Sequence, residues 1–561
     1  MSSLPGELEG ISRFFYSSIG SIVTKIRALQ MGLFAIGVGI FFPAIADTIN
    51  AQSLRHRLDR ISLPSSNNDD FALATLKRFY AMHDYQPVWV QEDKLAPIHD
   101  IVIAFIANAE QEGLDNQDYA LEELLHLRKQ IHTKPLWLEL ELQTTQALLM
   151  LARDLRRGRL TAAEVDPDWH IKQPDFDAAA HLQQAIASGD LKSSLESLPP
   201  TTKIYQLMKQ ALAHYRKQIT QGNHWASIPE TPLIRPNMSH PAIPLIRKRI
   251  AHDFVQYGYP EYDLPFSNDQ KYDAHLVDAI KAFQERNGLN ADGIIGKNTR
   301  DALNRTPEQK IQQLRVNMER LRWLPRELGD RYLLVNIAGF QLAAIEQGQH
   351  VLTMRIIVGR DYRSTPSFDS RISHLVLNPY WNIPHSIATK DLLPKQQANP
   401  TYFASQSIKI YSNHDYQTDA LDPDSIDWQT LGKRFPYVLR QDPGAKNALG
   451  TIKFMFPNPF SIYLHDTPSK QLFRKDIRTF SSGCIRLEKP LQLAGFVLNE
   501  PAAVTDLVAK IETGKTTTVH LPKRLPIYLI YLTTWIDDQN NVYFSSDIYG
   551  RDKRVLKHAR W

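Results

Sequence analysis

The 561-residue chain has a single cysteine, Cys484, so no disulfide can form within it. It also lacks any concentrated run of lysine and arginine: 65 basic against 60 acidic residues leave a net charge of +5, and the pattern does not read as a nucleic-acid binder. No long low-complexity tract is present, and with 43% hydrophobic and 22% charged residues the composition is globular. At this length two to four domains are expected rather than one core.

Long apolar runs are also missing except near the start. There Lys25 and Arg27 precede the charge-free "ALQMGLFAIGVGIFF", which runs into "PAIADT". Ala44 and Ala46 give the small-x-small pattern of a cleavable export signal, with Asp47 as the first residue after the cut. An uncleaved anchor is the alternative, although the run is short of the ~20 residues of a comfortable span. Residues 1–46 are therefore read as an export signal or membrane anchor, which places the remainder in the periplasm.

From residue 47 to 240 the periodicity is helical. Leu138, Leu142, Thr145, Leu149 and Ala152 fall at three- and four-residue steps, as in a helical scaffold domain. "IPETPLIRPNMSHPAIP", with five prolines, marks a boundary near residue 240. Residues 241–306 form a compact unit in which Leu276, Ile280 and Phe283 share a helix face, Asn287-Gly288 stops that helix, and Gly293 and Gly296 bracket a tight loop. The loop is too poor in carboxylates to be a calcium-binding EF-hand. The stretch "AIKAFQ...GL..DGIIGKNT...L" resembles the small three-helix peptidoglycan-binding domain.

Thr306, Pro307 and Gln309 supply an N-cap, a first-turn proline and a capping box, so a linker helix is expected within residues 307–330. From 331 the period changes to two, and "RYLLVNIAGFQLAAI", "HVLTMRIIVG" and "SHLVLNPYWNIP" read as strands of a β-rich domain over 331–515. Residues 386–437 interrupt it with little regular pattern, as an insertion over a site would. Strands resume in "TIKFMFPNPFSIYLHD", which leaves His465 at a strand end facing away from the packed aliphatics. A strand pair around Gln539-Asn540-Asn541 is expected within 516–561.

A lone thiol is either a small buried hydrophobe or a nucleophile. In "SSGCIRL" small residues precede Cys484, and the amides of Gly483 and Cys484 can turn toward a bound carbonyl oxygen as an oxyanion hole. His465, nineteen positions earlier, fits as its base, and a thiolate surrounded by these groups is expected below its ordinary pKa of ~8.5. Asp466 can orient His465 through its side chain or its backbone.

"H-D-T-P...S-S-G-C-I-R", preceded by "QDPGAKNALGTIKFMFPNPFSIYLHD", resembles the catalytic signature of the L,D-transpeptidases with the YkuD-type fold, in particular the large YcbB-type branch. Ser482 stands where the general motif often has histidine. The resemblance implies a multidomain α+β chain: helical scaffold, peptidoglycan-binding domain, and catalytic domain with a capping insertion. It further implies that Cys484 is the acyl-accepting nucleophile of a cysteine acyltransferase, that His465 is base and then acid, and that Gly483 contributes to the oxyanion hole. Arg486, Ser482, Tyr463, Asn447 and Trp381 become candidates for substrate binding, with a rim salt bridge or ordinary packing as the alternative for Arg486 and Trp381. The expected substrate and partner is peptidoglycan: a tetrapeptide stem would be cut after its third residue, diaminopimelate, and joined to the third residue of another stem. No metal or organic cofactor is implied, since no His/Cys/carboxylate cluster at ligand spacing accompanies the site. An L,D-carboxypeptidase, a protein-to-peptidoglycan ligase and a non-catalytic wall-binding scaffold remain as alternatives.

Overall fold

Hydrophobic periodicity decides where the helices of the N-terminal half bury themselves, and one long helix shows how. In the computed structural model, which describes residues 49–561 apart from 62–66, 93, 132, 222–225, 256–263, 265–267, 433, 501 and 538–540, helix α1 spans Lys134–Arg157. Its Leu142, Thr145, Leu149 and Ala152 are all buried, and its apolar face packs with Leu76, Phe79, Trp89 and Ile106 in one core. Helix α2 (Lys203–Thr220) closes the helical part. The export-type segment of residues 1–46 lies outside the described residues. Among those described, no helix is long and apolar enough to cross a membrane.

The small unit is built from α3 (Ile243–Val255), α4 (Ala274–Arg286) and α5 (Lys297–Leu303). Leu276, Ile280 and Phe283 meet in its core. The proline-rich stretch is more than a connector, because Ile228 and Ile234 are buried in this same core and Ile234 exchanges hydrogen bonds with Ile295. The unit therefore begins ahead of the boundary placed near 240.

Helix α6 (Pro307–Arg322) starts at the capping box read from the sequence: Thr306 caps the Gln309 amide and Gln309 returns to the Thr306 amide. It is not an exposed linker. Asn317, Glu319, Arg320 and Arg322 are buried, and Leu314, Val316 and Met318 share a core with α2 and the outer side of the β domain. Its charged composition hid this, since each buried charge named here is met by a partner described below.

The β domain is one nine-stranded sheet that closes on itself. Its strands are β1 (Arg331–Asn336), β2 (Gln341–Glu346), β3 (Gln349–Gly359), β4 (Phe368–Leu377), β8 (Ile452–Met455), β9 (Leu464–His465), β10 (Thr479–Ser481), β11 (Ile485–Leu487) and β12 (Thr517–Ile530). They run in the order β10-β3-β11-β9-β8-β4-β12-β1-β2, and β2 pairs back onto β3. The ring encloses Leu333, Ile356, Leu375, Ile452, Phe454, Leu464, Ile485 and Leu529. β12 corrects the boundary at 515: this central strand, paired with both β4 and β1, belongs to the same nine-stranded sheet. The expected pair within 516–561 is the hairpin of β13 (Thr534–Ile536) and β14 (Val542–Phe544), with Gln539 and Asn540 outside the described residues. Helix α7 (Arg551–Ala559) follows it.

The insertion is also more regular than its sequence suggests. β5 (Trp381–Ile383), β7 (Val438–Gln441) and β6 (Ile408–Tyr411) form a separate three-stranded sheet with β7 in the middle. Short helices cover it, and Leu393, Phe403, Ile410, Trp428 and Leu439 make a core of its own.

Candidate active site

Strand register assembles the site. Side chains of paired residues lie on the same face of a sheet, and faces alternate along a strand. Phe454, Leu464 and Ile485 are partners across β8, β9 and β11 and point into the ring. Their neighbours Lys453, His465 and Arg486 are partners in the next row and therefore point outward together. Two residues back along the same face come Tyr463 and Cys484, so one outward patch carries the thiol, the imidazole, a phenol and two cations.

His465 is almost fully buried, and its Nδ1 lies 2.5 Å from the backbone carbonyl of Asp466. A carbonyl only accepts, so Nδ1 carries the proton and Nε2 keeps its lone pair free. The Asp466 carboxylate is engaged elsewhere, by the Thr451 amide at 2.9 Å and Lys470 Nζ at 2.6 Å. Of the two ways Asp466 could orient the imidazole, the backbone is the one observed. Burial, and after it the Arg486 charge, lowers the pKa of His465 to about 3, so the ring is neutral near pH 7.

Cys484 is half-buried; its thiol faces the Ser461 carbonyl at 3.7 Å, and Tyr463 lies close enough through backbone and side chain to favour the thiolate. Tyr463, Lys453 and Arg486 favour the thiolate, but burial outweighs them and the thiol pKa is raised. The expectation of an acidified thiol therefore does not hold for the substrate-free site: desolvation of sulfur exceeds the pull of its neighbours. The pair rests as neutral thiol and neutral imidazole.

Gly483 has φ +114°, a conformation that favours glycine. Its N–H is turned onto Ser481 Oγ at 3.1 Å, and its carbonyl accepts from Thr365 Oγ1 at 2.8 Å. Of the two amides considered for an oxyanion hole, Gly483's is occupied inside the loop. Among the described hydrogen bonds the Cys484 N–H has no protein acceptor.

The other candidates divide. Ser482 is exposed and accepts from Arg363 Nη1 at 2.8 Å, while the same guanidinium pairs with Asp391 of the insertion. Arg486 makes no ion pair among the described residues, and its buried Nε has no partner. Trp381, on β5 of the insertion, lies near enough to the Tyr463 side chain to favour its phenolate and so reaches the site. Asn447 is buried and bonded to the Pro379 and Asp442 carbonyls and the Leu449 amide, which makes it a loop organiser with no spare group for a ligand.

Lys453 escaped the sequence reading. Its Nζ stands 3.9 Å from the centre of the Tyr463 ring, and burial lowers its pKa. The signal was its place in the alternating "TIKFMF", next to the inward Ile452 and Phe454, but only the pairing with His465 brings it into the site. Among the described residues no group of three or more His, Cys, Asp or Glu could hold a metal ion.

Comparison with known proteins gives three successive matches. Residues 74–212 match a family model described as "Scaffold domain", residues 248–303 one described as "Putative peptidoglycan binding domain", and residues 330–520 one described as "L,D-transpeptidase catalytic domain" of the YkuD family. A "Putative L,D-transpeptidase" of Haemophilus influenzae is 39% identical over 252 residues, 45% of this chain and 50% of that protein. The chain thus spans about half the length of the curated relative it matches. Among solved structures, an L,D-transpeptidase from Xylanimonas cellulosilytica aligns over 54% of this chain and 99% of its own, at 15% identity and a TM-score of 0.17. The chain combines a helical scaffold, a helical peptidoglycan-binding domain and a β-rich YkuD-like catalytic domain.

Proposed function

We propose that this chain is an exported L,D-transpeptidase of the YcbB type that cross-links peptidoglycan stems through a thioester on Cys484. The observation that carries the reading is the outward row Lys453–His465–Arg486 on the same face as Cys484: a neutral, correctly tautomeric base and the lone thiol on one patch, with cations that no carboxylate of the described chain neutralises.

In the reaction, His465 Nε2 takes the Cys484 proton as sulfur attacks the carbonyl carbon of the third stem residue, diaminopimelate. The C–S bond forms, the carbonyl oxygen becomes an oxyanion facing the Cys484 N–H, and the imidazolium then protonates the leaving nitrogen. The C–N bond breaks and D-alanine departs, leaving the thioester. The side-chain amine of diaminopimelate in a second stem then attacks the thioester, giving up its proton to His465 and returning the thiol. The stem carboxylates give Arg486 and Lys453 their counter-ions. Starting from a neutral pair suits this sequence, because charge develops only as the acyl group arrives, in a site already short of water.

Residues 241–306 would hold the enzyme on the wall and raise local substrate concentration. The insertion, touching Tyr463 through Trp381 and Ser482 through Arg363, would shape the acceptor groove. The test is incubation of the chain with disaccharide-tetrapeptide, followed by mass spectrometry. A dimer joined through two third-position residues, with D-alanine released and both lost in Cys484→Ala, is the expected result. Tripeptide alone at every acceptor concentration would make the protein a carboxypeptidase, and neither product nor a mass shift on Cys484 would make it a wall-binding scaffold.

A further inference from the structure

The Cys484 N–H has a direction only because something fixes its peptide plane. In a trans peptide the carbonyl of Gly483 and the N–H of Cys484 are rigidly opposed, so whatever grips one aims the other. The grip is Thr365. Its Oγ1 donates to the Gly483 carbonyl at 2.8 Å and accepts the Gly359 N–H at 2.9 Å, so the hydroxyl is used in both senses and cannot rotate away without loss. Thr365 is itself fully buried.

Thr365 is held from outside the ring. Its carbonyl accepts from Arg551 Nη2 at 2.9 Å, and Arg551, on α7, is buried, donating to Ser367 Oγ at 3.1 Å and pairing with Asp168 at 3.2 Å. Asp168 belongs to the scaffold half of the chain. The same scaffold segment docks on Ser367 through backbone bonds: the Ser367 N–H donates to the Asp168 carbonyl at 2.8 Å, and the His170 N–H donates to the Ser367 carbonyl at 2.7 Å. A continuous path of hydrogen bonds, half-buried at Asp168 and buried from Arg551 inward, thus runs from the scaffold, through Arg551 and Thr365, to the peptide that bears the nucleophile.

We propose that Thr365 is a positioning residue of the reaction: its hydroxyl locks the Gly483–Cys484 peptide so that the Cys484 N–H faces the developing oxyanion, with the Asp168–Arg551 pair holding Thr365 in place. The inference rests on the acyl-transfer reading above and adds a requirement to it. Ordering of the nucleophile loop is shared between the catalytic sheet and the scaffold, so the scaffold takes part in the chemistry as well as in the architecture.

The test separates reactions that build an oxyanion from those that do not. Acylation of Cys484 by disaccharide-tetrapeptide passes through a tetrahedral oxyanion, whereas alkylation by iodoacetamide is a direct displacement on carbon and has none. In the full chain, Thr365→Val should slow acylation on the order of 10²-fold, the usual effect of losing one oxyanion donor, while the alkylation rate and its pH dependence stay at the wild-type level. Thr365→Ser, which keeps the hydroxyl, should restore acylation. Acylation at the wild-type rate in Thr365→Val would overturn the proposal. So would a parallel fall in acylation and alkylation, because a loop that had merely lost its packing would slow both. A wild-type chain that tetrapeptide never acylates would bring down the acyl-transfer reading itself, and this inference with it.

Discussion

Two groups of desolvated cations in this molecule, one buried and one half-buried, live by opposite rules. Along α6 and α7, Arg320 pairs with Asp552 at 2.5 Å, Arg322 with Glu319 at 3.0 Å and Arg551 with Asp168 at 3.2 Å. Burial by itself would lower the pKa of Arg320 and Arg322, but Asp552 beside the first, and Tyr205, Glu319 and Glu112 beside the second, reverse the shift and raise both. On the outward patch of the sheet, Lys453 and Arg486 are lowered by burial, with no carboxylate among the described residues to offset it. The first group joins domains and is neutralised from within the chain. The second has no counter-ion among the described residues, a costly arrangement that makes physical sense where an anionic ligand completes it.

The largest expected effects lie at the patch and leave the fold alone. Cys484→Ala should abolish acyl transfer, and His465→Ala should slow acylation on the order of 10²-fold or more through loss of the base, with thermal unfolding of Cys484→Ala close to wild type. Acyl transfer by purified Cys484→Ala would mean that the patch is not the site. Next comes the paired region. Asp552→Ala strands Arg320 in the core and should destabilise by about 3–5 kcal/mol, read as a lower denaturation midpoint. Unchanged stability there would erase the distinction between the two groups.

Arg486→Ala should do the reverse. Loss of a charge-assisted contact worth about 1.5–3 kcal/mol should raise KM for tetrapeptide about 10- to 100-fold and leave stability unchanged or higher. A destabilised Arg486→Ala with normal KM would move this arginine into the structural group.

The smallest effects are those of pH. With the Cys484 thiol raised by burial, iodoacetamide alkylation of the free enzyme should climb only above the ordinary thiol range, and a midpoint below ~8.5 would contradict the neutral resting pair. His465, lowered to about 3, stays neutral in the folded chain while its unfolded counterpart protonates near ~6.5. Between those values the unfolded chain binds the extra proton, so stability should fall as pH drops through the window, by at most about 1.4 kcal/mol per unit. His99, buried in the scaffold core and lowered to about 4, adds to the same slope. Denaturant midpoints that stay flat from pH 6.5 to 4 would place both rings in better-solvated surroundings.

What the sequence made legible was local. Alternation placed Ile452 and Phe454 inside and left His465 facing out, and Thr306 and Gln309 located the start of α6 to the residue. Strand partnership was not legible, and with it went Lys453, whose relation to His465 exists only through the β8–β9 pairing. Thr365 lies 118 residues from Gly483 and carries no motif of its own. The length of β12 was obscured by Pro522 and Pro526, since proline removes a ladder donor; the register does shift between His520 and Leu525 before pairing resumes. For α6, arginine and glutamate read as solvent-facing until Asp552 and Tyr205 supply partners from elsewhere in the chain.

The insertion over the site enters the ring domain at β5 and leaves it at β7, and these two strands are zipped to each other, Trp381 against Gln441 and Ile383 against Leu439. Its ends are therefore fastened together before any of its interior is specified, so lengthening or shortening that interior carries only the slow, logarithmic cost of closing a longer loop. With its own core, it behaves as a cassette plugged into one socket and latched to the ring domain where Asp391 pairs with Arg363. Sequence change within it can remodel what the groove admits while the strands that carry Cys484 and His465 keep their register.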